Sequence, residues 1–392
     1  MKNNAKSNNP SKARSIIINI GISFLIFFLF IAILETILRT THLFGAKTPW
    51  IKPDPILGYR NVPGSKYWHY DENDHPITGR INSHGWRDKE WSLKKPQNTY
   101  RIAVLGDSMV ASWDVESDRT FLALTENQLN HGGNHKVELM NFGFSNISQA
   151  EELLILKNDI IKFSPDMVLL FFFPGNDIYD MSVKTVSHSK RPFFHLSENG
   201  ELILDTSFSQ TRHYKIKCFV NVFKRHSALI NFIGERYYGY LEYRRNKSLD
   251  KSGLQGKKTI PEFLTLCTKN PDASTLKNYQ MNKALIKAMA EYCQEKSIRF
   301  MLITIDTSPL YILENEKRNK SIDSTFDANF FEDDLRNYAT SLSIDYLGLQ
   351  RIFRQAYEKN PVPLHWFHWN YEGHKVVAEA LSAKIKNYSG YK

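Results

Sequence analysis

The chain has 392 residues, 42% of them hydrophobic, and a formal net charge of +10, which is enough for one large or two ordinary domains and too apolar for intrinsic disorder. Its 3 cysteines, Cys218, Cys267 and Cys293, lie far apart without redox or metal-ligand spacing, so a disulfide scaffold is excluded and one bridge at most could form. The excess of 51 Lys+Arg over 41 Asp+Glu suits nucleic acid, a membrane surface or an anionic substrate, and its placement along the chain has to decide.

Residues 1–15 read as a cytoplasmic tail and 16–38 as a transmembrane signal anchor. From Ile16 to Leu34 no charge occurs, and only Asn19, Gly21 and Ser23 interrupt the apolar run. At about 1.5 Å per residue this run spans roughly 28 Å, close to the ~30 Å hydrocarbon core of a bilayer. Lys2, Lys6, Lys12 and Arg14 precede it, and the positive-inside rule keeps them in the cytoplasm and sends the remaining chain across the cytoplasmic membrane. The run exceeds a typical signal-peptide core, and Glu35-Thr36-Ile37-Leu38-Arg39 follows instead of an A-x-A-like cleavage site, which favours a retained single-pass anchor. A globular helix of this length would keep a polar face.

Residues 39–98, rich in Pro, Gly, Tyr, Trp and His, show no sustained period and read as an irregular arm. From residue 99 to 392 strands and helices alternate. Arg101–Leu105 is a short apolar strand, followed by helical spacing over Thr120–Asn130. Val137–Phe142 is a second strand and Ile147–Phe163 a helix. Met167–Phe173, a continuous apolar run, fits a strand buried on both faces of a parallel sheet. The alternation lapses over an insertion at about 178–274. It then resumes with a helix at Thr275–Lys296, a strand at Arg299–Ile305, a short strand ending near Leu347 and a last helix at Glu372–Lys386. The pattern predicts a three-layer α/β domain with a parallel sheet.

In such sheets ligands bind outside the carboxyl ends of the strands. Gly106-Asp107-Ser108-Met109 follows the first strand and places a serine on a turn into a helix. Asn141-Phe142-Gly143 closes the second strand, and Gly175-Asn176-Asp177 follows the third. Just before the last helix stands His365-Trp366-Phe367-His368-Trp369-Asn370-Tyr371-Glu372-Gly373-His374. Each block has a plain alternative: a turn for Gly-Asp-Ser and Asn-Asp, a loop glycine for Gly143, a surface histidine for His368. Their joint occurrence at matching strand ends makes coincidence a poor explanation.

These four blocks, in this order, resemble the SGNH branch of the GDSL hydrolase superfamily, in its membrane-anchored bacterial type. The resemblance spans about residue 99 to the end apart from the insertion. Asn82-Ser83-His84-Gly85-Trp86-Arg87-Asp88 is also similar to the stretch preceding the domain in many anchored members. It implies a flavodoxin-like α/β/α fold, with Ser108 as nucleophile and His368 as base. It further implies an oxyanion hole made by the Ser108 and Gly143 backbone N–H groups and the Asn176 side chain. A serine hydroxyl needs a base to accept its proton, and the tetrahedral oxyanion needs fixed donors. The implied activity is that of a serine esterase without cofactor, acting on ester-linked acyl groups such as those of cell-surface glycans, or moving them as an O-acyltransferase. A lipase or lysophospholipase is a further option.

One departure stands out. The family places an aspartate three, sometimes two, residues before the histidine, and here those positions are His365 and Trp366. Three options remain open: a Ser-His dyad supported by a backbone carbonyl, a carboxylate from elsewhere such as Asp306, or an impaired member that binds glycan or envelope-assembly partners. His365, His368 and His374 could alternatively suggest a metal site, but no cysteine is near and HExxH spacing is missing, so no metal is expected.

The charge excess is uneven. Residues 1–15 carry +4, residues 181–260 carry fifteen bases against six acids, and the remainder is slightly acidic. A topology signal and a basic, aromatic-rich insertion expected beside the active-site mouth therefore replace the nucleic-acid reading. The insertion points toward anionic lipid headgroups or an anionic polysaccharide.

Overall fold

The computed structural model describes residues 10–41, 49–71, 73–131, 136–181, 191–250, 260–307 and 309–388. The chain divides into two compact units, one formed by Met1–Pro49 with Phe219–Gln255 and the other by Trp50–Cys218 with Gly256–Lys392. In the first unit the apolar run lies on α1 (Pro10–Thr41), whose Arg14–Thr41 stretch is long and apolar enough to cross a membrane.

The second unit opens where an irregular arm is expected, and the difference is definite. Two antiparallel hairpins form there, β1 (Ile51–Asp54) with β2 (Gly58–Asn61) and β3 (Lys66–Tyr70) with β4 (Pro76–Arg80). Strands of 4 or 5 residues, two of them containing proline, are too short to display a period of two.

The main sheet is built from β5 (Thr99–Gly106), β6 (Lys136–Gly143) and β7 (Met167–Phe172), and from two later strands, β10 (Arg299–Thr304) and β11 (Asp345–Gly348). Between β5 and β6 come α2 (Ser108–Ala111) and α3 (Phe121–Asn130), and α4 (Gln149–Asn158) precedes β7. After β7 the chain forms α5 (Asn176–Asp180), the hairpin β8 (Phe193–Leu196) with β9 (Leu202–Asp205), and the helices α6 (Arg212–His226), α7 (Ala228–Asp250) and α8 (Ala273–Glu295). The helices α9 (Pro309–Ile322) and α10 (Phe330–Ser341) separate β10 from β11, and α11 (Gln350–Lys359) and α12 (Tyr371–Lys386) close the fold. The spatial order is β11-β10-β7-β5-β6, with every pair parallel. This is the doubly wound order in which the direction of winding reverses beside the first strand, here β5, and the crevice between the ends of β5 and β7 is the expected ligand position.

Both faces of the sheet are buried, and the alternation of side chains shows why. Leu105, Phe142, Leu170 and Leu302 point into one core, shared with α4, α8 and α10, whereas Val104, Leu139, Phe171 and Ile303 point into a second, shared with α3, α11 and α12. Each strand therefore reads as a continuous apolar run. Gln149, Glu152, Asp177 and Asn282 form a buried polar seam where α4, α5 and α8 meet. Cys218, Cys267 and Cys293 are all unbridged.

Candidate active site

The site is assembled from loops at the carboxyl ends of the strands. At the end of β5 the Asp107 carboxylate accepts the Met109 N–H at 2.9 Å and caps α2, so Ser108 is the first residue of that helix. The helix ends one turn later at Ser112, which holds the left-handed conformation with φ 53°. Gly143 closes β6 directly against this turn. A Cβ there would lie 2.3 Å from the Ala111 nitrogen, so any side chain would push away the backbone that carries Ser108.

His368 arrives from the opposite end of the sequence, on the loop before α12. That loop is a tight hairpin closed by a bridge between His365 and Trp369 and by the Trp366 N–H donating to the His368 carbonyl at 2.9 Å. Asn370 fixes its exit, because its Oδ1 accepts the N–H groups of Glu372 and Gly373 and its Nδ2 donates to the Pro363 carbonyl at 2.7 Å. The result places His368 Nε2 2.9 Å from Ser108 Oγ.

A carboxylate completes this line, and it is neither of the positions upstream of His368 nor Asp306. His368 Nδ1 lies 2.8 Å from Asp114 Oδ2, on the loop that follows α2. Asp306 is buried and engaged elsewhere: its Oδ1 accepts the Trp369 indole N–H at 3.0 Å and its Oδ2 lies 3.1 Å from His365 Nε2. It thus ties the histidine hairpin to the end of β10. The sequence carried one overlooked signal for Asp114: a charge between Trp113 and the buried Val115 needs a partner inside the fold.

The arm reaches into the same site. His69, on β3, places its Nε2 3.0 Å from Asp114 Oδ1, so the carboxylate lies between two imidazoles. Burial opposes its ionisation, but hydrogen bonds and charge from His368 and His69 prevail and hold its carboxyl well below the usual range. Arg87, buried in the stretch Asn82–Asp88, donates to the carbonyls of Ala111, Ser112 and Val115 at 3.2, 2.8 and 2.6 Å. Those three carbonyls lie on the stretch that runs from Ser108 past Asp114, so the arm clamps the loop carrying both residues.

The expected oxyanion donors surround the serine with partners of their own. Asn176 opens α5, and its Nδ2 donates to Asp107 Oδ2 at 2.7 Å, the same carboxylate that caps α2. Asp177 pins this turn by accepting the Phe173 N–H at 2.7 Å and the Gln149 amide at 2.8 Å. The Gly143 N–H donates at 2.8 Å to the Asn141 side chain, so a bound oxyanion would have to share it. Beside His368, Phe367 is 81% exposed and forms an apolar rim against the imidazole ring.

No protein-family model and no curated protein matches this chain. Solved structures of esterases and lipases do. The acetyl xylan esterase AlAXEase matches at 14% identity with a TM-score of 0.38, over 73% of this chain and 99% of its own. A catalytic mutant of Axe2, an acetylxylan esterase from Geobacillus stearothermophilus, matches at 10% identity and a TM-score of 0.40, over 73% and 94%. A GDSL-like lipase from Bacteroides thetaiotaomicron matches at 12% identity and a TM-score of 0.35, over 76% and 92%.

The remaining histidines of the C-terminal block diverge. His374 is buried at the start of α12, its Nδ1 accepts the Phe121 N–H at 3.1 Å, and its ring stacks on Phe121. Burial, aided by the Arg87 charge, pushes its imidazole down to about 3, which keeps it neutral and a hydrogen-bond acceptor. His365, His368 and His374 thus face Asp306, Ser108 with Asp114, and the α3 backbone respectively. Among the described residues no group of three or more His, Cys, Asp or Glu side chains is arranged to hold a metal ion.

Proposed function

We propose that this protein is a serine ester hydrolase of the SGNH type, with Ser108, His368 and Asp114 as its catalytic triad. The observation that carries the reading is the line Ser108 Oγ, His368 Nε2, His368 Nδ1, Asp114 Oδ2, with contacts of 2.9 and 2.8 Å. His368 takes the Ser108 proton as Oγ attacks the ester carbonyl. The tetrahedral oxyanion is held by the Ser108 and Gly143 N–H groups and by Asn176, and Asp114 orients the imidazole and stabilises its charged form. Collapse breaks the ester C–O bond, and His368 returns the proton to the departing alkoxide, which leaves as the alcohol. Water, deprotonated by His368, then cleaves the acyl-Ser108 ester and yields the carboxylic acid and free serine.

The Asp114 carboxylate beside His368 supports this reading over an impaired, binding-only site. A hydroxyl-bearing acceptor entering in place of water would give O-acyl transfer by the same residues. The tail charges Lys2, Lys6, Lys12 and Arg14 favour an extracytoplasmic catalytic domain on a retained anchor, which would put acylated surface glycans within its reach. The test is fluorophosphonate labelling of the full chain in detergent, with mass spectrometry of the labelled peptide and with the Ser108→Ala protein as control. Labelling at Ser108 is expected, together with p-nitrophenyl acetate hydrolysis that the control lacks. Equal hydrolysis by both proteins would overturn the assignment, and faster cleavage of long-chain than of acetyl esters would move it to a lipase.

A further inference from the structure

The insertion contributes α7 and the second half of α6 to the unit that contains α1, and this part of the molecule has no role in the reaction above. Its apolar side chains are arranged in reverse of a soluble helix pair. On α6, Phe219, Val222 and Phe223 lie three and four residues apart and are exposed. On α7, Ile230, Ile233, Tyr237, Tyr240 and Leu241 recur at helical spacing along one exposed stripe, with Arg244 one turn further on. The opposite face of α7 is occupied: Ala228, Leu229 and Phe232 pack against Leu34 and Leu38 of α1. The two helices also meet closely, since a Cβ on Gly234 would lie 2.5 Å from the Lys224 side chain.

How α7 is tied to α1 fixes its level along the apolar span. Glu35 follows the uncharged run Ile16–Leu34 directly, and its carboxylate caps the start of α7. It accepts the Ala228 and Leu229 N–H groups at 2.8 and 2.9 Å and the Ser227 hydroxyl at 2.8 Å. Arg39, one turn on, donates to the His226 carbonyl. With α1 read as a membrane anchor, the α6–α7 junction falls where a bilayer's hydrocarbon core gives way to headgroups. Exposed tyrosines, on the stripe and beside it at Tyr238 and Tyr243, together with arginine suit that zone, and Lys224, Arg225, Arg236 and Arg244 give it positive charge. The side chains of Arg245 and Lys247 lie outside the described residues.

We infer that α6 and α7 form an interfacial element whose exposed stripe beds into an anionic lipid surface at the point where α1 leaves the membrane. This rests on the reading of α1 as a membrane anchor, and it adds a second, lateral attachment set by the Glu35 cap. The test uses the full chain with Cys218→Ser, labelled with an environment-sensitive fluorophore at one introduced surface cysteine at a time, Cys267 and Cys293 being buried. Phe28→Cys reports on α1, Phe219→Cys, Ile233→Cys and Tyr240→Cys on the stripe, and Leu93→Cys on exposed surface of the other unit. The proteins are reconstituted into phosphatidylglycerol–phosphatidylcholine vesicles bearing brominated acyl chains. Phe28 and the three stripe positions are expected to lose most of their fluorescence while Leu93 keeps it, and omitting phosphatidylglycerol should restore the stripe signals but not that of Phe28. Quenching at Phe28 with stripe signals like that of Leu93 would overturn the inference and leave the anchor standing. Stripe quenching that is indifferent to phosphatidylglycerol would overturn the anionic preference, and an unquenched Phe28 would overturn anchor and inference together.

Discussion

The loops after β5 and β10 each hand a buried carboxylate to a histidine of the same hairpin, and the two pairs differ in what lies beyond the imidazole. Asp306 meets His365 and the Trp369 indole, both buried, so this pair ends in packing. Asp114 meets His368, whose other ring nitrogen faces Ser108 at 2.9 Å. A carboxylate–imidazole contact is therefore not itself a catalytic signature. Only a free path from the imidazole to a reacting atom makes it one.

Exchanging each carboxylate for its amide should separate the pairs most widely. Asp114→Asn keeps the volume but can stabilise the wrong tautomer of His368, and kcat for p-nitrophenyl acetate should fall by about 10³–10⁴ with the fold retained by circular dichroism. Asp306→Asn should leave kcat within a few-fold and instead lower Tm, because it weakens the tie between β10 and the histidine hairpin. The pH dependence of stability offers a second separation. The Asp114 carboxyl is depressed in the folded state, so its contribution is present above the unfolded value near 4 and is lost as pH falls below that. Asp114→Asn should therefore flatten the acid side of a Tm-versus-pH curve.

Smaller effects are expected one contact further out. Asn176→Ala removes the proposed oxyanion donor, and kcat and kcat/KM should fall together by roughly 10²–10³, equivalent to about 2.7–4 kcal/mol. A rise in KM alone would mean that Asn176 binds substrate without acting on the transition state. His69→Gln removes an imidazole from Asp114 without touching Ser108 or His368, and a loss of roughly tenfold in kcat is expected, near 1.5 kcal/mol for one hydrogen bond to a charged group. Equal activity in this variant would reduce the arm's part in the site to the Arg87 clamp.

Strands β5, β6, β7 and β10 were legible because burial on two faces writes itself as an apolar run, and the positions of Ser108, Gly143, Asn176 and His368 were legible because each lies at a strand end or before a helix; of these, the structure brings Ser108 and His368 into direct contact. Asp114 was not legible, since its role comes from a contact with His368 across the fold that neither local period nor spacing encodes. Asp306 lay at an equally suitable strand end and went to the wrong histidine for chemistry. The helices α9, α10 and α11 also escaped notice; in α11 the apolar positions are confined to Ile352, Phe353, Ala356 and Tyr357, about one turn of pattern. The arm's hairpins were hidden by brevity, although Arg87 within it was already singled out as part of a recognisable stretch.

A third buried acid, with no imidazole beside it, sharpens the distinction further. Glu152 on α4 lies in the polar seam, where burial and then the neighbouring charges of Asp177, Asp107 and Glu151 raise its carboxyl well above the usual range. An acid raised in the folded state favours folding below its unfolded pKa, near 4.3, and that contribution is lost as pH rises toward its folded value. At neutral pH the unfolded chain ionises Glu152 freely while the folded chain resists, so the residue works against stability there. Glu152→Gln, which keeps the shape and removes the ionisation, should raise Tm at pH 7 by about 2 °C for each kcal/mol recovered, and should leave Tm nearly unchanged at pH 4. Because Glu152 is close enough to feel the charge of Asp107, whose carboxylate holds both α2 and Asn176, a variant that gained stability yet lost esterase activity would show that the buried acid helps set the position of the serine turn.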